Sequence, residues 1–388
     1  MYSLLLAVIY LAFISLGLPD SLLGSAWPTL YAEMNVPISY MGIITMIISA
    51  CTIVSSLLTD RLVAKLGTRI VTSISIFLTA ISLFGFSLSR EFYHLCLWGI
   101  PYGLGAGAID ASLNNYVALH FSSRHMSWLH CFWGVGTIIS PYVMSFTLTK
   151  SGWQSGYRVI SCIQCVILVI VLLSLPLWKK NQQKQADEIK AKPVGLASAI
   201  KIKGVLPVII GFMAYCAMES TATLWSSSYF EGVFDSSKDE AAALGSLVFI
   251  GITVGRFFSG FITEKLGDSK MIRIGAVVAG VGIILTAIPF KIFAIIGFII
   301  LGLGCAPIYP CIVHSTPTRF GKERSQSIIG IQMASAYLGS TLMPPLFGLV
   351  ANHLNIALMP LYIAFFLVLM LALLILADKL TLKENKGL

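Results

Sequence analysis

Apolar residues in this chain come in twelve long runs, near 4–31, 39–60, 69–89, 92–121, 127–149, 157–178, 205–230, 242–263, 270–289, 291–317, 326–351 and 356–377. About 20 such residues cross a bilayer core as a helix, whereas a membrane strand needs about ten with strict alternation. The runs are too long and too uniform for strands, so the pattern predicts an all-α membrane protein of twelve transmembrane helices. Polar residues concentrate between the runs, with a conspicuous exception in the fourth. There GLGAGAIDASLNNY (103–116) sets an aspartate and two asparagines at membrane depth.

Composition agrees with this pattern and excludes a soluble domain. The 388 residues are 57% hydrophobic and only 11% charged, and mean hydropathy is +0.86, far from ordinary soluble usage. The first run has no basic residue before it and no small-residue cleavage site after it, so it is expected to be a retained helix and not a signal peptide. The net charge of +9 would suit a nucleic-acid partner, but its distribution points elsewhere. If the N-terminus is inside, 20 of the 26 Lys and Arg fall on the cytoplasmic side, five fall outside, and Arg256 lies within a span. That bias places both termini in the cytoplasm and makes the charge topogenic. All eight cysteines lie within the runs, and the Cys162-x-x-Cys165 pair has no second pair beside it; these read as packing residues, with no metal expected.

The long polar segment at 179–203, opening KKNQQKQADEIKAKP, divides six runs from six. The expected organisation is a six-helix bundle at 1–178, a cytoplasmic linker at 179–203 and a second bundle at 204–388. Internal matches support a repeat. Asp20 and Glu219 are 199 residues apart, as are GLGAGA from Gly103 and GLGCAP from Gly302. Gly136 with Pro141 matches Gly339 with Pro344 at 203, and Thr59-Asp60-Arg61-Leu62 matches Thr263-Glu264-Lys265-Leu266 at 204. Two parallel pseudo-repeats flanking a midplane site are a transporter plan.

The segment Gly260-Phe261-Ile262-Thr263-Glu264-Lys265-Leu266-Gly267 resembles the inter-helix signature of the major facilitator superfamily. The first-half copy is degraded: it keeps Lys65 and Arg69, while Asp60 and Arg61 lie one turn early. The resemblance implies that Asp60, Arg61, Lys65, Arg69, Gly260, Glu264, Lys265 and Gly267 form latches at the cytoplasmic helix ends. Solvated loop charges are the alternative for the first copy.

A carboxylate at membrane depth costs about 2.5–3.5 kcal/mol on insertion scales and therefore needs a cavity, a partner or a proton. Asp20 follows Pro19 in a run broken by Gly17 and Pro28, Asp110 and Asn114 share a helix face, and Glu219 has Ser220 and Thr223 close by. Polar glue between helices is the alternative for each. The acids in runs one and four, GAIDASLN, and LHCFWGVGTIISP at 129–141 are similar to the fucose:proton symporter branch. That resemblance implies Asp20 and Asp110 as proton-linked or sodium-linked acids and Asn114 as a sugar partner; Glu219, by its depth in a span, is a third candidate coupling acid. A neutral sugar needs amides and carboxylates for its hydroxyls and aromatic faces for its C–H surface. Asn115, His130, Trp133, Trp225, Tyr309 and Gln332 are candidates, with gating, anchoring or core filling as alternatives. Arg256 is expected to snorkel or to pair with an acid. Runs 1, 4, 5, 7, 10 and 11 contain no Lys or Arg, which disfavours an anionic cargo.

No phosphate loop, zinc-ligand pattern or nucleophile elbow occurs, so no enzyme activity and no cofactor are expected. The expectation is a multi-pass cell-membrane protein, working as a monomer, that couples a proton or sodium ion to symport of a small neutral solute, a sugar. A proton-coupled exporter of drugs or metabolites, using Asp20 and Glu219, is the alternative.

Overall fold

The computed structural model describes residues 2–178 and 195–385. Described residues of the first half form α1 (Tyr2–Gly17), α2 (Leu22–Glu33), α3 (Met41–Leu66), α4 (Thr68–Leu88), α5 (Phe92–His120), α6 (Ser123–Lys150) and α7 (Trp153–Leu173). After α8 (Leu196–Ile200) come α9 (Val205–Phe234), α10 (Lys238–Gly245), α11 (Leu247–Leu266), α12 (Asp268–Thr286), α13 (Lys291–Cys305), α14 (Ile308–His314), α15 (Thr316–Phe320), α16 (Ser325–His353) and α17 (Met359–Asn385). Eleven spans among the described residues are long and apolar enough to cross a membrane, with α1 and α2 counted together, as are α13 and α14. The remaining long helix is α5, whose interior Asp110, Asn114 and Asn115 lower its hydropathy. Of the expected linker, residues 179–194 lie outside the described residues.

Two breaks interrupt the spans: one follows Gly17 as expected, while Pro28, also expected to break that run, lies inside α2, and one falls at Ala306-Pro307. The chain leaves α1 at Leu18, passes Pro19 and Asp20, and re-enters helix at Leu22. The second break falls at Ala306-Pro307, where the Tyr215 hydroxyl donates to the Cys305 carbonyl at 2.9 Å and satisfies a backbone acceptor at the end of α13. Helices extend past the apolar runs, with one consequence for the signature residues. Asp60, Arg61 and Lys65 sit on the last turns of α3, Arg69 on the first turn of α4, and Gly260, Glu264 and Lys265 on α11. They are helix-end residues and not loop residues, because helical hydrogen bonding continues to the glycine that ends it. Gly67 (φ 77°) and Gly267 (φ 80°) supply the left-handed turn. Each N–H bonds back at 2.8 Å, to Val63 and Thr263 respectively.

Helix packing repeats as the sequence does. A Cβ at Gly103 would overlap the Ile48 carbonyl, and one at Gly302 would overlap the Val248 carbonyl. The same holds for Gly136 against Ile14 and for Gly339 against Met213. Small residues let these backbones approach. In the first half the approach places α5 carbonyls within reach of α3 hydroxyls: Thr52 donates to Gly103 at 3.1 Å and Ser55 to Leu104 at 2.5 Å. The chain divides into two compact units, one built on residues up to Tyr116 and from Leu129 through the rest of the first half, the other on Val117–Trp128 and from Gly195 onward. The segment Val117–Trp128, which covers the end of α5 and the start of α6, thus groups with the second half.

Candidate ion and substrate site

Asp20 occupies the break between α1 and α2, where the chain has left regular helix and the side chain is exposed. Two neutral donors hold its carboxylate. The Tyr102 hydroxyl from α5 donates to Oδ1 at 2.7 Å, and the Trp133 indole N–H from α6 donates to Oδ2 at 2.9 Å. Among the described residues Asp20 forms no ion pair. Trp133 thus reaches the acid directly, and Tyr102 is a site residue that the sequence reading did not single out. Its signal was a hydroxyl placed eight residues before Asp110 in an apolar helix.

Asp110 lies deeper, at 4% exposure. Asn114, one turn along α5, donates from Nδ2 to Asp110 Oδ1 at 2.8 Å and to the Asp110 carbonyl at 3.0 Å. The other end of the same amide meets His130 Nε2 at 3.1 Å. An amide oxygen only accepts, so His130 Nε2 carries the proton here. The Phe13 ring packs edge-on to the imidazole at 5.6 Å. Asn114 is fully buried and bridges Asp110 to His130, so both of its polar ends are engaged inside the unit. Asn115 is buried beside it. His130 and Trp133 are three apart on α6 and share a face, so α5 and α6 together serve both first-half acids.

In the second unit Glu219 on α9 meets Arg256 on α11, with Nη2 to Oε1 at 3.1 Å and side-chain exposures of 6% for the arginine and 17% for the acid. The Thr223 hydroxyl, which sequence alone offered as a partner for Glu219, donates instead to the Glu219 backbone carbonyl at 3.0 Å. Tyr309, just past the break, packs edge-on to Phe212 at 4.7 Å and donates to Met333 Sδ at 3.3 Å. Gln332, next to Met333, is fully buried. Its Oε1 accepts from Thr316 at 3.0 Å, while its Nε2 has no partner among the described residues. Trp225 donates to the Pro344 carbonyl at 2.9 Å and meets Phe347 edge-on. Trp27 is 3% exposed and tied to the Ile38 carbonyl at 2.8 Å, a packing role.

Signature residues of α11 find their partners on Val117–Trp128. Glu264 pairs with Arg124, whose guanidinium lies 5.7 Å from the Trp128 ring and 5.6 Å from that of Phe261. Trp128 covers Gly260, and a Cβ there would stand 2.8 Å from its indole nitrogen. Gly260 with Glu264 and Arg124 with Trp128 are both spaced four apart, so two helix faces meet in register. Nearby, His314 Nδ1 reaches Asp268 at 2.7 Å and its Nε2 meets the Phe121 carbonyl at 3.0 Å. Arg124, Trp128 and Asp268 were not singled out from sequence, although the four-residue spacing was readable. Arg61 and Lys65 are exposed on α3, and Asp60 and Arg69 are half-buried.

The family model described as Major Facilitator Superfamily matches residues 9–238 and 208–387. The glucose/mannose transporter GlcP of Bacillus subtilis (strain 168) is 23% identical over 294 residues, covering 72% of this chain and 71% of that protein. FucP, the E. coli fucose:proton symporter, superposes in its outward conformation with a TM-score of 0.79 at 15% identity, over 96% of this chain and 97% of its own. The human organic anion transporter MFSD10 superposes with a TM-score of 0.78 at 14% identity, over 96% of this chain and 99% of its own.

Proposed function

This chain belongs to the Major Facilitator Superfamily, and from that premise we propose that this multi-pass membrane transporter is a symporter carrying a small neutral solute, a sugar, with a proton. The observation that supports it is Asp20: an exposed carboxylate in a helix break, held by neutral donors and in no ion pair among the described residues. Such an acid changes charge when a proton arrives, and the change removes a desolvation penalty that otherwise opposes movement of the site. A sodium ion fits less well, because a hard cation wants a shell of oxygens and the Trp133 N–H is not a ligand.

Asp110 is the second coupling acid in this reading, with Asn114 and His130 as its relay. In the first unit Trp133 is a cargo-contact residue in this reading, with Asn115 in support; in the second unit Tyr309 and Gln332 are, with Trp225 in support, and the Gln332 Nε2 has no partner among the described residues. Arg124, Glu264 and Trp128 act as a latch at a cytoplasmic helix end, and both termini lie in the cytoplasm, following the bias of basic residues.

GlcP is named for glucose and mannose and FucP for fucose, which favours a sugar; MFSD10 is named for organic anions. An anion buried at membrane depth needs a countercharge, and the span arginine, Arg256, already carries Glu219. The test is uptake by proteoliposomes of glucose, mannose, fucose and xylose under an inward proton gradient. One of these sugars is expected to accumulate, and Asp110→Asn to abolish accumulation while keeping exchange. Accumulation that persists in Asp110→Asn removes that residue's coupling role, and accumulation driven by sodium alone removes the proton.

A further inference from the structure

Tyr102 and Trp133 both donate to Asp20, one to each oxygen, yet they differ in one chemical respect. An indole N–H can only donate, whereas a phenol hydroxyl both donates and accepts. When a proton settles on the carboxyl group, one oxygen becomes an O–H donor that needs an acceptor of its own. At Oδ2 the Trp133 N–H cannot accept it, so a proton there must turn away from that partner. At Oδ1 it meets the Tyr102 oxygen, which can accept once its own hydrogen turns away.

We infer that Tyr102 is the positioning residue that converts the charge of Asp20 into a hydrogen bond offered to the cargo. In the charged state the Tyr102 O–H is committed to Oδ1 and the cargo gains nothing from it. In the neutral state the acid O–H donates to the Tyr102 oxygen, and the Tyr102 hydrogen, still covalently bound, swings to an acceptor on the cargo. Trp133 stays on Oδ2 throughout and keeps the carboxyl plane fixed. One proton is taken up and no other bond is made or broken. The Tyr102 ring is buried at 6% exposure, so only its hydroxyl turns, at the edge of the exposed acid. Proton and sugar then favour each other's binding reciprocally, as symport requires. This rests on the proposed role of Asp20 as the coupling acid.

Besides tyrosines, the other titratable or charged groups on the elements involved are His94, Cys96, Asp110 and His120 on α5, Arg124, His125, His130, Cys131 and Lys150 on α6, and Glu33 on α2. Glu33 is held by the Trp153 indole at 2.6 Å. Asp110 is eight residues from Tyr102, about 12 Å along α5 at 1.5 Å per residue. Asp110 and His130 meet through Asn114 and not through Asp20.

The test is pH-jump difference infrared spectroscopy of the full-length protein in nanodiscs, paired with uptake kinetics. In the wild type a carboxylic C=O band is expected on acidification, absent in Asp20→Asn, together with a shift of a tyrosine C–O band that is absent in Tyr102→Phe. A carboxylic band assigned to Asp20 with no Tyr102-dependent tyrosine band overturns the inference while leaving Asp20 as the coupling acid. No Asp20 band at all overturns both. In uptake, Tyr102→Phe should raise KM about three- to tenfold at acid pH, the worth of one neutral hydrogen bond, and leave KM at alkaline pH unchanged. An equal rise at both pH values would mark Tyr102 as merely structural and sink the proposal.

Discussion

Asp20 and Glu219 stand 199 residues apart at matching places in two copies of one helical plan, yet they keep different company. Asp20 has a tyrosine and a tryptophan; Glu219 has an arginine buried to 6% exposure. The residue 200 before Arg256 is Ser56, which donates to the Gly107 carbonyl at 3.3 Å, so the first copy holds two helices together where the second installs a charge. A neutral surrounding allows the acid to gain or lose a proton with only hydrogen bonds to rearrange. An ion pair has no net charge to relieve, and losing one partner strands the other. On the proposed reading the first half changes charge at this position and the second half holds it. Glu219, expected from sequence as a third coupling acid, reads in this setting as a structural partner of Arg256, and a transport assay on its replacement decides between the two roles.

The sharpest way to break the comparison is to disturb what the halves share. Gly103→Leu and Gly302→Leu each drive a side chain into a neighbouring carbonyl, and each should prevent recovery of folded protein on size-exclusion chromatography, well beyond the 1–3 kcal/mol of ordinary overpacking. If one is tolerated, the two packings are not equivalent. Next comes the difference between them. Arg256→Met strands Glu219 and should cost about 3–5 kcal/mol, seen as a large fall in thermal midpoint, while Arg256→Met with Glu219→Leu should recover most of it. Trp133→Phe, which removes one neutral donor, should cost about 0.5–1.5 kcal/mol in the same assay. Equal losses for Arg256→Met and Trp133→Phe would erase the distinction. Smallest is Glu264→Gln: its ion pair with Arg124 is partly exposed, so stability should change by less than about 1 kcal/mol.

Much of the fold was legible because membrane helices are written in long apolar runs, and breaks in proline. The break at Gly17 and Pro19 fell where the residues placed it, although Pro28 stayed inside α2, and the glycine matches proved to be close-packing points in the same order. The α5 helix shows the limit of hydropathy: the residues that matter most to the site are those that make it least apolar. What could not be read was partnership, because partners come from helices far apart in sequence. Arg256 was expected to snorkel or to pair with an acid, but nothing named Glu219, 37 positions away, as that acid, and nothing around Asp20 announced Tyr102 82 positions away. Asn114 was expected to face a sugar, yet its amide is held between Asp110 and His130. Nor did the apolar runs foreshadow that Val117–Trp128 would group with the second half, since a helix pattern records which face is apolar and not what covers it.

The central claim is that Asp20 carries the coupling proton, and counting protons tests it most directly. Proteoliposomes holding a pH-sensitive dye inside, with no imposed gradient, receive whichever sugar of the panel is taken up. The wild type should acidify the lumen as sugar enters, with the effect fading as the outside pH is raised. Asp20→Asn should carry sugar down its gradient with no lumenal pH change. Sugar-driven acidification that survives in Asp20→Asn would contradict the account.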